Sequence, residues 1–176
     1  KILGLKTGKE YTDTKELRYG HIKILCDQDE DGSHIKGLLF NLFQTLWPSL
    51  YNQPRFMLSM LTPVIKARKG NLVKQFYSTK DYDIWCSKNN DGKGWNIKYY
   101  KGLGTSTPKE AKEYFKDLKV VEYTTTSDED RDAINLAFNK EKTSSDKRKE
   151  WLMQYNAKNT LDYNKKKVSI KDFVYE

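Results

Sequence analysis

The sequence predicts an α/β fold built on a largely parallel sheet flanked by helices. Three observations point there. Short β-rich apolar runs alternate with helical segments along the chain. Several helices open on recognisable capping residues. The first strand ends in a cluster of carboxylates, at the edge where open parallel sheets bind ligands. At 176 residues the chain is long enough for one domain or one and a half.

The elements follow in order. Residues 21–26 alternate and are β-rich, which gives a buried strand. Ser33 can cap a helix whose apolar positions Ile35, Leu38, Leu39, Leu42, Phe43 and Leu46 form one helical face. Trp47-Pro48 ends it. Residues 56–67 and 72–77 read as strands about a Lys69-Gly70-Asn71 turn. A short helix over 79–87 precedes a loop over 89–94, and a strand over 95–100 runs into KGLGTST. Thr107 then caps a helix with Pro108 at its first position, Glu110 completing a capping box, and an apolar face of Ala111, Tyr114, Phe115 and Leu118. Residues 120–125 are strand-like. Ser127 caps a helix carrying Ile134, Ala137 and Phe138, and a last helix covers about 145–155. No internal repeat is visible.

Composition narrows the function. The formal net charge of +8 favours an anionic partner, nucleic acid first. Residues 142–176 hold nine Lys/Arg against five Asp/Glu, so half of that charge sits in the tail. This divides the chain into residues 1–140 and a basic helical connection, 141–176. No run reaches the ~18 apolar residues of a membrane span and no signal peptide opens the chain. Cys26 and Cys86 make no metal or disulfide pattern, which fits a reducing compartment. Trp85, Trp95 and Trp151 read as core anchors. Both ends read as interior sequence, so the chain is expected to be a piece of a longer protein.

The acidic stretch Asp27-Gln28-Asp29-Glu30-Asp31-Gly32 admits several chemistries. A calcium loop needs a glutamate at its twelfth position, where Leu38 stands, and His34 occupies the eighth. A haloacid-dehalogenase-type phosphatase uses D-x-D with the first aspartate as nucleophile, but Glu30-Asp31 crowd that site with further charge. A magnesium site for phosphodiester chemistry needs carboxylates on one side of the chain. In an extended segment Asp27, Asp29 and Asp31 point the same way, Gly32 permits a sharp turn, and the next helix aims its positive end at the same spot. A solvated acidic turn, or a basic DNA-binding module with a structural cation, remains open on these residues alone. Lys101, at a strand end before two glycines, suits phosphate contact; His34 and Lys36 could neutralise phosphate or balance the aspartates. Lys147, Arg148 and Lys149 form a charged helix face.

DQDEDGSHIKGLLFN resembles the acidic signature of the TOPRIM domain of type IIA DNA topoisomerases. NLFQTLWPSL, FMLSMLTPVIKARK, KYYKGLGTSTPKEAKEYF, AINLAFNKE and KRKEWL resemble successive blocks of the eukaryotic-type family, in its order; a viral member would share this style. The resemblance spans nearly the whole chain. It implies a Rossmann-like TOPRIM sheet, incomplete on its N-terminal side, followed by connecting helices. It implies an ATP-dependent isomerase, a homodimer that cleaves and reseals double-stranded DNA through 5′-phosphotyrosyl links. It assigns metal and catalytic roles to Asp27 and Asp29, with Asp31 in support, and DNA-backbone contact to Arg148 and Lys149. Two magnesium ions are implied, with manganese or calcium able to substitute in binding. ATP would bind elsewhere in the parent. The nucleus is the implied compartment, or host nucleus or cytoplasm for a viral member. An EGDSA-like block with its metal-binding glutamate is absent, and Glu10 and Glu16 do not fit that role. A PLRGK-like block is absent too. Tyr163 and Tyr175 lie outside the context of the nucleophilic tyrosine, so the fragment alone should be inactive.

Overall fold

The computed structural model describes residues 2–156 and 161–175. Its strands are β1 (Ile22–Ile24), β2 (Met57–Met60), β3 (Ile65–Lys69), β4 (Leu72–Phe76), β5 (Asn96–Tyr99), β6 (Val120–Thr124) and β7 (Lys167–Ser169). Its α-helices are α1 (Glu30–Leu46), α2 (Pro48–Tyr51), α3 (Thr79–Lys88), α4 (Pro108–Lys116), α5 (Asp128–Phe138), α6 (Lys142–Met153) and α7 (Ile170–Val174). One sheet has the order β1-β2-β6-β7, with β1–β2 and β6–β7 parallel. This is the largely parallel sheet that the alternation predicts. A second, antiparallel sheet β4-β3-β5 contains the two strands expected about the Lys69-Gly70-Asn71 turn; that they form a separate sheet with β5 was not anticipated. Among the described residues no helix is long and apolar enough to cross a membrane.

Contacts group the chain into two units: Lys1–Ile24 with His34–Ser59 and Val121–Glu176, and Leu25–Ser33 with Met60–Val120. In the first unit the core is aromatic. Phe40, fully buried, meets Tyr123 at 4.9 Å and Phe173 at 5.3 Å between ring centroids. Gly37 lets α1 approach α5, since a Cβ there would lie 2.6 Å from Cζ of Phe138. Asp130 is buried at the start of α5, where Ser127 caps as expected. Its Oδ2 accepts the N–H groups of Thr126 and Ser127, and its Oδ1 accepts that of Lys171. Burial alone would raise this carboxyl, but the N–H groups of Lys171, Thr126 and Ser127 hold it below the usual carboxylate range.

The second unit is built around Ile65, Ala67, Phe76 and Trp85. Trp95 meets Trp85 edge to face at 5.1 Å, so both act as core anchors. Trp151, in the first unit, packs edge to face on Tyr175. Lys69 pairs with Leu72, so Gly70-Asn71 is a two-residue hairpin turn, and Gly70 takes the positive φ of +56° that its first position favours.

Several expectations are corrected. The run 56–67 is not one strand. It breaks at 61–64 around Pro63, where Leu61 N–H donates to the Lys119 carbonyl and Val64 N–H to that of Phe76. Helix α1 starts three residues before Ser33, because Asp29 caps it: Asp29 Oδ1 accepts the Gly32 N–H at 2.8 Å. Its buried face is Lys36, Gly37, Phe40 and Phe43, whereas Ile35, Leu38, Leu42 and Leu46 are 39–50% exposed. Phe115 is exposed as well, and Glu110 is buried on α4 in its place. The last predicted helix is α6, and β7 and α7 follow it unforeseen, because short elements carry too few residues for a period.

Asp130→Ala should lower unfolding stability by about 2 kcal/mol, since three N–H groups lose the buried carboxylate that accepts from them. Because the carboxyl is held low, that contribution is complete above the ordinary aspartate value of about 3.9 and fades as pH falls through the folded value. Urea unfolding of both forms between pH 7 and pH 2 checks this.

Candidate functional site

The acidic loop and the KGLG loop meet within the second unit. Strand β1 delivers the chain to Asp27, and β5 delivers it to Lys101. Asp27 Oδ1 accepts the N–H of Leu103 at 2.5 Å. Gly102 lies against the same carboxylate: a Cβ there would sit 2.6 Å from Asp27 Cγ. Gly102 is thus needed for close approach. Gly32 has a similar reason. It sits in the first turn of α1, and a Cβ would lie 2.9 Å from the carbonyl carbon of Asp27. The sharp turn assigned to Gly32 is therefore corrected to a helical residue against the loop backbone. Gln28 Nε2 donates to the Met60 carbonyl at 3.0 Å, and Cys26 Sγ donates to the Gly32 carbonyl. These bonds fold the loop back on its own unit.

The three aspartates do not alternate along an extended chain as expected. Only Asp27 precedes the helix. Asp29 is its N-cap, and Asp31 lies exposed in its first turn. The helix N-terminus, whose first N–H groups have no partner within the helix and which carries a partial positive charge, attracts acids by itself and accounts for part of the cluster. Among the described residues no three Asp, Glu, His or Cys side chains form a metal cradle. Asp27 and Asp29 each give one carboxylate oxygen to a backbone N–H, and among the described residues no donor reaches the Oδ2 of either. Two carboxylates of hard oxygen donors, completed by water, are a set that magnesium accepts.

The basic candidates separate. Lys101 is exposed at the loop. His34 is exposed and stacks on Phe138 with centroids 5.9 Å apart. Lys36 is 1% exposed, with its ammonium 5.6 Å over the Phe173 ring, so the expectation that it meets phosphate is corrected. Arg148 Nη1 donates to the carbonyls of Leu136 and Asn139 at 3.0 and 2.8 Å, tying down the end of α5. Lys149 is exposed and pairs with Asp146 at 3.0 Å.

The residue that sequence reasoning undervalued is Glu110. Its capping box with Thr107 is as expected, but its carboxylate has further partners. Oε2 accepts from Lys98 Nζ at 2.9 Å, Thr107 N at 2.9 Å and Thr107 Oγ1 at 3.0 Å; Oε1 accepts from the Tyr100 hydroxyl. Lys66, wholly buried, stands 4.0 Å away, with its ammonium over the Tyr114 and Tyr100 rings. Lys66 and Lys98 are directly paired across β3–β5, and like charges so placed repel unless a carboxylate joins them. Burial alone would raise the Glu110 carboxyl; the Tyr100, Thr107 and Lys98 bonds hold it well below the carboxylate range. A cleft of about 350 Å³ opens beside it, lined in part by Arg68, Lys98 and Lys109.

Comparison with known proteins places these features in context. A family model described as the C-terminal associated domain of TOPRIM matches residues 60–176. The chain is 47% identical over 178 residues to a protein of Pisum sativum named DNA topoisomerase 2, covering 99% of this chain and 12% of that relative. It is 48% identical over 178 residues to a Caenorhabditis elegans protein that bears the name DNA topoisomerase 2, mitochondrial, covering 99% of this chain and 15% of that relative. A solved structure titled as the DNA-binding, cleavage and re-ligation domain of Plasmodium falciparum topoisomerase II superposes with a TM-score of 0.91 at 41% identity. It covers 98% of this chain and 24% of that one. The chain thus spans about an eighth of the length of these curated relatives.

Gly102→Ala should cost about 1–3 kcal/mol, because the new methyl would displace the Asp27 carboxylate. Gly104→Ala, with nothing within 4 Å of the added Cβ, should stay within about 0.5 kcal/mol of the parent. Denaturant unfolding of the two variants side by side checks both.

Proposed function

The chain belongs to the family of the C-terminal associated domain of TOPRIM, and from that premise we propose that it serves the DNA cleavage core of an ATP-dependent type II topoisomerase. The observation that carries this reading is the Asp27 carboxylate, held by the Leu103 N–H where the acidic and glycine loops meet. Asp27 and Asp29 would hold magnesium, with Asp31 nearby in the first helical turn. When bound, magnesium supplies charge neutralisation at a departing 3′-oxygen and at a neighbouring phosphate.

The chain's own part is to fix Asp27, to anchor Asp29 at the helix start, and to present cations to the duplex backbone. Lys101 and Lys149 are exposed cations suited to that contact, and His34 is an exposed imidazole able to hydrogen-bond phosphate. Arg148 supports it by fastening α6 to the end of α5. Such contacts position DNA without reading its sequence. The attacking tyrosine belongs to another part of the protein: Tyr163 is buried and Tyr175 packs on Trp151. ATP binding likewise belongs elsewhere in the parent, which acts as a homodimer on double-stranded DNA. The compartment is one that holds DNA, the nucleus for a cellular enzyme. Strand β1 is a sheet edge and the adjoining α1 leaves Ile35, Leu38, Leu42 and Leu46 exposed. We read that face as the seat of the remaining TOPRIM strands.

In the protein that carries this segment, Asp27→Asn should abolish magnesium-dependent DNA cleavage and leave most DNA binding intact. Gel assays of cleavage and filter binding on the same duplex measure the two; unchanged cleavage defeats the reading. Lys149→Ala should weaken binding and reduce the slope of log K against log salt by about 1 if it contacts one phosphate. An unchanged slope returns Lys149 to a solvated helix face.

A further inference from the structure

The loop that touches Asp27 is fastened at both ends by one side chain. On its strand side, Lys98 and Tyr100 donate to Glu110; on its helix side, the Thr107 N–H and hydroxyl do so. Between these anchors run residues 101–106. Inside, the Gly102 N–H donates to Thr105 Oγ1 at 3.2 Å, the Thr105 N–H to the Gly102 carbonyl at 3.1 Å, and the Ser106 N–H to the Leu103 carbonyl at 3.2 Å. A short segment closed at both ends and cross-linked within has little freedom. Its outward result is that the Leu103 N–H and the bare Gly102 Cα face the Asp27 carboxylate. A capping box alone needs only Thr107 and Glu110. The bonds from Lys98 and Tyr100 are additional, and they convert a helix cap into a clamp on the preceding loop.

We propose that Glu110 is a positioning residue for the metal site: by clamping residues 101–106 it fixes the Leu103 N–H against Asp27 and so sets that carboxylate's orientation. In this role Glu110 acts through the loop and is not one of the proposed ligands. This inference rests on the reading of Asp27 as a metal ligand. Partners that orient ligands typically change metal affinity or activity by about 10–100-fold when removed.

The test compares Glu110→Gln, Tyr100→Phe and Asp27→Asn in the protein that carries this segment, free of nucleotide. Hydrogen–deuterium exchange is followed in peptides over 101–107 and over the β3–β4 hairpin. Manganese affinity is read by electron paramagnetic resonance, and DNA cleavage is titrated with magnesium. For Glu110→Gln the expected result is about tenfold faster exchange over 101–107 with a smaller change in the hairpin, where Lys66 loses its charged partner, and manganese affinity lowered about tenfold. Cleavage should recover at correspondingly higher magnesium, which it should not do for Asp27→Asn. Tyr100→Phe removes one arm of the clamp without removing charge, and should shift the same readouts in the same direction by less. It decides the question if Glu110→Gln loosens the hairpin as much as the loop. If Asp27→Asn loses manganese binding while both clamp variants keep the parent's affinity, the positioning role alone is overturned. If Asp27→Asn binds manganese like the parent, the metal reading fails and the inference falls with it.

Discussion

A carboxylate buried among cations organises the second unit. Lys66 and Lys98 face each other across β3–β5, and Arg68 stands two residues further along β3, on the same face. Without Glu110 the first two would repel at close range, with the Lys66 ammonium buried and uncompensated. With it, one carboxylate joins strand β3, strand β5 and the start of α4 through charge-assisted bonds, which are stronger than neutral ones. Burying an ion pair gives little net stability, since desolvation offsets the attraction. What it provides here is geometry: the angle between β5 and α4, and hence the path of the loop joining them.

That loop brings the glycine motif to the acidic motif. Asp27 and Leu103 are 76 residues apart in the chain and share one short hydrogen bond. Gly102 permits the approach because it has no side chain to intervene. On the other side of the acidic segment, Asp29 anchors the first turn of α1. The acids thus have two supports of different kind, a loop amide and a helix cap, and each engages only one oxygen of its carboxylate with a backbone N–H. Charge in the first unit does different work. Arg148 is spent on backbone carbonyls, Lys36 lies buried over an aromatic ring, and Asp130 gathers three N–H groups at the start of α5 and the neighbouring α7.

Local signals were legible in the sequence where the relevant physics spans a few residues. The caps at Thr107 and Ser127, the proline at the start of α4, the Gly70 turn, and the strands before Asp27 and Lys101 all follow from side-chain and backbone preferences within one turn or one strand. Long apolar runs misled where burial depends on what lies opposite. The leucines of α1 form a continuous stripe, yet the buried side is the one with Phe40, Phe43, a glycine and a lysine. Phe115 was assigned to the core of a helix whose buried residue is a glutamate. A period reports which residues share a face and not which face meets a neighbour.

By itself, then, the sequence determined the alternation of strands and helices, the capping of α4 and α5, the basic charge, and the presence of an acidic loop and a glycine loop with the style of one enzyme family. Those properties are carried by near neighbours and by composition. Only the tertiary structure decided that Asp29 is a cap, that Gly102 and Leu103 touch Asp27, and that Glu110 joins two opposed lysines. The Asp29 cap spans three residues and competes with the Ser33 cap nearby, but the other contacts depend on strand register and loop closure at longer range, and chain entropy leaves such distant pairings unspecified until the sheets form.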